Sequence, residues 1–169
     1  MAATIEICET NGTTGAPVVE HNITNTNMGN VEAPNLDPVA YPITPGDLSY
    51  AKYQRVHVTA MGGSSAINNL KAWRTGALGG AATHVTNGGI GAAYTNLSFV
   101  TPVKVAIADV DNTMPTSTPA SANLGIAGSL AGSLIATGYS DYLVHQIVTN
   151  VADIAGSTST MSYQYDEVA

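Results

Sequence analysis

The chain has 169 residues, and only 10% of them are charged: five Lys and Arg against twelve Asp and Glu, for a net charge of −7. Soluble domains carry roughly 25%. Its five scattered cations, Lys52, Arg55, Lys71, Arg74 and Lys104, speak against nucleic acid and anionic membrane surfaces, which need clustered Lys and Arg; the scarcity of acids and bases speaks against a reaction centre and for a surface that lies against other protein, where every buried charge must be desolvated.

The length suits a single domain over 1–169. Met1 to Ile7 has neither the basic nor the apolar stretch of a signal peptide. No run of about 18 apolar residues exists, so no membrane-spanning helix is expected. Thr4 to Cys8 reads as a short strand of β-branched residues. Cys8 is the only cysteine, so no intrachain disulfide forms. With Ile7 and Glu9 beside it, Cys8 is expected to be a small buried apolar residue. Asn11 to Gly15 is a turn, and Val18 to His21 a second strand. The stretch 22–47 carries Pro34, Pro38, Pro42 and Pro45 among many Asn. It can be neither a central strand nor a long helix and reads as an irregular arm, a length of loop that tends to be functional.

Tyr53 to Ala60 alternates, with Gln54, Val56, Val58 and Ala60 on one face and Tyr53, Arg55, His57 and Thr59 on the other, the period of a half-buried strand. After a break at Gly62–Ser65, Asn68 to Arg74 places Leu70 and Ala72 opposite Lys71 and Trp73. The glycine pairs Gly79-Gly80 and Gly88-Gly89 weigh against regular structure over 76–93. Leu97 to Ala108 is apolar, but Pro102 forces an edge or a break, and 109–122 is turn and loop. Over 123–136, Leu124, Ala127, Leu130 and Leu134 recur at helical spacing, yet Gly125, Gly128 and Gly132 each cost about 1 kcal/mol in a helix, which favours a Gly/Ala-rich loop. Ser140 to Val151 is the strongest strand. Leu143, His145, Ile147, Thr149 and Val151 share one face. Tyr142, Val144, Gln146 and Val148 share the other. Thr158 to Asp166 is the last strand, with Met161, Tyr163 and Tyr165 on one side. The pattern predicts an all-β fold, an antiparallel β-sandwich or jelly-roll-like barrel with long irregular loops. Val56, Val58, Leu70, Leu143, Ile147 and Val148 are its expected core.

Few residues carry chemistry. His21, His57, His84 and His145 are isolated in sequence, and no second Cys completes a zinc site. His57 and His145 are expected as hydrogen-bonding residues at a core edge or interface. Asp109-Val110-Asp111-Asn112 is the best calcium candidate, but it lacks the Gly and Glu of an EF-hand loop and reads as a turn. Asp166-Glu167 reads as a solvated tail, with an anionic clasp onto a neighbouring subunit as the alternative. Ser64-Ser65 is no nucleophile elbow, and no glycine stretch has phosphate-loop spacing. No catalytic residue, cofactor or metal ligand is expected.

Five stretches carry a resemblance by their order and spacing: Asn25 to Asn30, Pro45 to Tyr53, Asn69 to Trp73, Thr137 to Val144 and Tyr163 to Glu167. Together, from about residue 22 to 167, the chain resembles small virion structural proteins of tailed bacteriophages, most of all head decoration or cement proteins. The resemblance implies an assembly role without catalysis, on the capsid surface of a virion made in the host cytoplasm. Its partners would be the phage major capsid protein and copies of itself, with no small-molecule substrate. Asn25, Asn27, Asn30, Pro34, Asn35 and Tyr41 of the arm, with Tyr50 and Trp73, are the expected contacts. Two other readings stand beside it. One is a receptor- or carbohydrate-binding module of a phage tail, using Trp73, Tyr50 and Tyr53 as a stacking platform. The other is a tail-tube or neck protein.

Overall fold

A computed structural model describes residues 1–153 and 156–169. The described residues contain ten strands and no α-helix: β1 (Thr4–Thr13), β2 (Ala16–Glu20), β3 (Lys52–Ala60), β4 (Ala66–Thr75), β5 (Thr83–Thr86), β6 (Asn112–Thr113), β7 (Ser133–Leu134), β8 (Gly138–Tyr139), β9 (Leu143–Val148) and β10 (Thr160–Val168). They form two antiparallel sheets. The larger runs β2-β1-β3-β9-β5-β6, with β8 also pairing β3; the smaller runs β10-β4-β7. The expected all-β sandwich is the fold.

The alternation read over 53–60 sets the layers. Val56 and Val58 of β3 and Leu143 of β9 face Ile67, Leu70 and Ala72 of β4, and all six are almost fully buried. Met114, Leu124 and Ile126 close the end of this core, and Met161, Tyr163 and Tyr165 of β10 pack against it. Burying such a side chain contributes roughly 1.5–3 kcal/mol. Ile67 and Leu70 reach the same face although three residues apart, because Asn69 adopts a positive φ of 50° and the β4–β10 register shifts there. This is a bulge, and the Asn69 side chain donates to Asp166 Oδ2 at 2.8 Å.

The outer face of the large sheet is covered by loop. Leu97, Phe99 and Ile107 lie over Ala51, Tyr53 and Val144, with Val110 buried among them. Gln146 holds this cover, its Nε2 donating to the carbonyls of Ser49, Val103 and Val105. The apolar stretch 97–108 therefore packs without forming a strand. Pro102 lacks the N–H a ladder needs.

Several expectations change. The glycine-rich stretch 76–93 contains β5, seated between the two glycine pairs and ordered by pairing with β9. The strand expected over 140–151 ends at Val148; Val151 lies in a turn, 87% exposed, not on the face of Leu143 and Ile147. Val148 is half-buried rather than core. Residues 123–136 form no helix, as the glycines required: they are loop, with Ile126 and Ser129 bridged, except for the two-residue strand β7, which pairs with β4. Asp166 and Glu167 belong to β10 rather than a loose tail: Glu167 accepts from Ser64 Oγ at 2.5 Å and the Ala3 amide at 3.1 Å, so their clasp is onto their own chain.

Candidate functional site

The arm at 22–47 is exposed over most of its length yet tied to the body. Its backbone bonds to the sandwich through Ile23 N to Ile7 O at 3.0 Å and Tyr50 N to Gly29 O at 3.0 Å. Leu36 is its one deeply buried side chain. Lys52 reaches from β3 to donate to Ala33 O at 2.8 Å. The arm's acids are engaged internally: Glu32 accepts from the Gly12 amide at 2.8 Å, Asp37 from the Val39 amide at 2.9 Å, and Asp47 pairs with Lys104 at 2.7 Å.

The expected contact residues divide. Asn25, Pro34, Asn35 and Tyr41 are exposed. Asn27 is turned inward, its Nδ2 donating to Leu36 O at 2.8 Å, and the Asn30 side-chain oxygen is buried. Tyr50 and Trp73 are half-buried. Tyr53 is 1% exposed and packed edge-on against Phe99, so Trp73, Tyr50 and Tyr53 present no stacking platform. Two shallow hollows, of about 250 and 300 Å³, lie where β1 and the arm root meet β10; Ile7, Ile23 and Tyr163 line both. Asp109 and Asp111 are exposed, and no group of three donor side chains among the described residues includes them.

The histidines that stand apart in sequence meet in two pairs. On the outer face of the large sheet, Glu6 and Cys8 are alternate residues of β1 and so point the same way. His57 lies directly opposite Glu6 in the β1–β3 register. On the other side, β1–β2 pairs Glu9 with Glu20, and one step along that register brings His21 beside Cys8. Three neighbouring strands thus deliver four donors to one spot, all within 4.8 Å of one another. Glu6 Oε1 accepts from Nδ1 of both His21 and His57 at 2.7 Å, and Cys8 Sγ lies 3.4 Å from His21 Nδ1. The hydrogen bonds from His21 and then His57 hold the Glu6 carboxyl below its usual range. Burial, reinforced by Glu6, pushes the Cys8 thiol up to about 11. His57 stacks on Tyr139 at 4.0 Å between centroids, and the Arg55 guanidinium lies over Tyr139 and Tyr142. Cys8 is buried as expected, but in polar company.

The second pair is internal. His84 Nε2 and His145 Nδ1 share a hydrogen bond of 2.8 Å, and both rings are buried. Burial, with Arg74 adding to it, lowers His84 to about 4. Burial, then His84 and Lys52, holds His145 well below its usual value. Nearby, Lys52 pairs with Glu9 at 2.7 Å, Gln54 Nε2 donates to Glu9 at 3.2 Å, and Tyr163 donates to Gln54 at 2.5 Å. This polar chain crosses from the small sheet to the arm.

The comparisons with family models, curated proteins and solved structures find no match to this chain.

Proposed function

We propose that the chain is a non-enzymatic structural protein of a phage virion, a decoration protein that sits on the outside of the capsid and strengthens its lattice. The observation that carries the reading is the charge-poor arm, which has no Lys or Arg and three acids over 22–47. Its three acids are bound within the molecule, and its outward face offers Asn25, Pro34, Asn35, Tyr41 and Val39, the last 87% exposed. Such a face loses little on desolvation, and an arm already held by its own hydrogen bonds loses little entropy on docking. A stiff sandwich behind it suits a protein present in many copies, where modest contacts add by avidity. The major capsid protein and neighbouring copies of the chain are the partners, and the capsid surface is the location. The buried Tyr53 weakens the carbohydrate-binding alternative.

The experiment is to incubate purified protein with phage heads assembled without it and measure occupancy after sedimentation. Saturable binding is expected, changing little between low and moderate salt. Binding should fall when Asn35 and Tyr41 are replaced by Asp and Ala. Protein that stays in the supernatant, or a double variant that occupies heads fully, overturns the reading.

A further inference from the structure

We infer that Glu6, Cys8, His21 and His57 form a structural site for a divalent transition metal, zinc first, at the root of the arm. The donor set is two imidazoles, one thiolate and one carboxylate, the ligand types zinc takes in four-coordinate sites. Nitrogen and sulfur donors exclude calcium and magnesium, which take oxygen. All four ligand positions are filled by protein, which makes a closed site that stabilises a fold rather than an open one that activates water.

The geometry is close to what the ion requires. Donors at zinc bond lengths stand roughly 3.3–3.8 Å apart around a tetrahedron. Cys8 Sγ lies 3.4 Å from His21 Nδ1 and 3.5 Å from Glu6 Oε1. The two Glu6–histidine contacts are 2.7 Å, the length of hydrogen bonds whose protons the ion replaces; they open by less than about 1 Å to admit it. On binding, each imidazole carries its proton on Nε2 instead of Nδ1, and Cys8 releases its proton to solvent. One thiolate, one carboxylate and a dication then sum to zero charge, which suits a site this close to the sheet. The frame is fixed in advance: β1, β2 and β3 set four backbone positions, and the Tyr139 stack orients His57. His21, whose side chain is 51% exposed, is the open side through which an ion arrives. Once bound, the ion joins β2, β1 and β3 at the point where the chain leaves the sheet for the arm. This inference is independent of what the arm touches.

The test uses the full chain, stripped with a chelator and titrated with Zn²⁺ or Co²⁺. One equivalent of metal per chain should survive desalting. The cobalt form should show a thiolate-to-cobalt charge-transfer band and the strong visible bands of four-coordinate cobalt. Zinc should raise Tm. Cys8→Ser should lose the charge-transfer band. His21→Gln, at a half-exposed position, should keep the metal-free Tm of the parent yet weaken zinc binding by at least ~100-fold, since even outer residues of zinc sites are worth 10- to 100-fold. Failure to retain zinc at micromolar concentration overturns the site. So does zinc binding that His21→Gln and Cys8→Ser leave unchanged, which would mark an adventitious surface ion.

Discussion

The ion pair between Lys52 and Glu9 lies inside the sandwich, each side chain 2% exposed and 2.7 Å from the other. Lys52 also donates to Ala33 O of the arm, and Glu9 also accepts from Gln54. Replacing Lys52 with Met keeps the chain's bulk but leaves a buried carboxylate whose remaining protein partner is an amide at 3.2 Å. Breaking a buried pair from one side costs about 3–5 kcal/mol, a large share of the roughly 5–15 kcal/mol that holds a domain folded. Removing both charges, as in Glu9→Met with Lys52→Met, leaves no charge stranded and should recover most of that loss; buried pairs replaced by apolar side chains are often neutral. Urea denaturation of the parent, both single variants and the double variant closes the cycle, with an expected coupling above about 2 kcal/mol. Limited proteolysis adds a second readout. Both Lys52 variants lose the bond to Ala33, so cleavage within 31–41 should quicken in both while only the single variant is strongly destabilised. A Lys52→Met loss below about 1 kcal/mol, or additive single effects, would refute the view that this pair is a desolvated, coupled unit.

What was legible in the sequence was local. Period-two alternation in Tyr53 to Ala60 put Val56 and Val58 on one face and Arg55 and His57 on the other, and these four lie so; the strand is not simply half-buried, since Tyr53 on the outer face is covered by loop and Ala60 on the inner one is exposed. The glycines of 123–136 correctly outweighed the spacing of its leucines. Pairing between distant segments was not legible, and it creates β5 from a glycine-flanked stretch and joins His84 to His145 across 61 residues. The Glu6–Cys8–His21–His57 cluster stands between these cases. The expected turn at 11–15 would set Cys8 against Val18; β1 instead runs on to Thr13, and the two-residue turn at Thr14-Gly15 sets Cys8 against His21, while alternation sets Glu6 beside Cys8. Only the β1–β3 pairing, a long-range choice, brings in His57. Close sequence spacing does not mark it, because sheet register, not sequence distance, places its donors. The end of the strand at Val148 was likewise invisible, since Thr149 and Val151 continue the alternation while Thr149 turns to bond Asp47.

Truncating Leu70 or Leu143 to Ala, each at most 1% exposed, should cost roughly 2–5 kcal/mol by denaturant midpoint; a loss under about 0.5 kcal/mol would mean that these strands do not form the core. Gly29→Ala should loosen the arm while sparing the sandwich, because a Cβ there would meet the Leu36 side chain and stand 2.5 Å from Tyr41 O. Protease sensitivity confined to 28–41 is the expected sign, and an unchanged cleavage rate the contrary one. His84 is lowered to about 4 by burial and Arg74, whereas in the unfolded chain it titrates near 6.5. Between those values the unfolded state holds more protons than the folded one, so stability falls as pH falls, and the decline levels off below about 4. For His84 alone the loss is roughly 3 kcal/mol across the window. His145 shifts in the same direction but shares a hydrogen bond with His84, so the pair titrates as one unit rather than as two independent groups. The charged groups around them, Arg74 on β4 and Lys52 on β3, both oppose a further positive charge. Denaturant midpoints measured from pH 7.5 to 4 on the parent and on a His84→Gln variant separate this source from the carboxylates. The parent should lose stability steeply below about pH 6.5, and the variant should show a shallower slope over the same range. Equal slopes would show that the buried pair accepts protons without penalty, and would require an acceptor for them inside the sandwich.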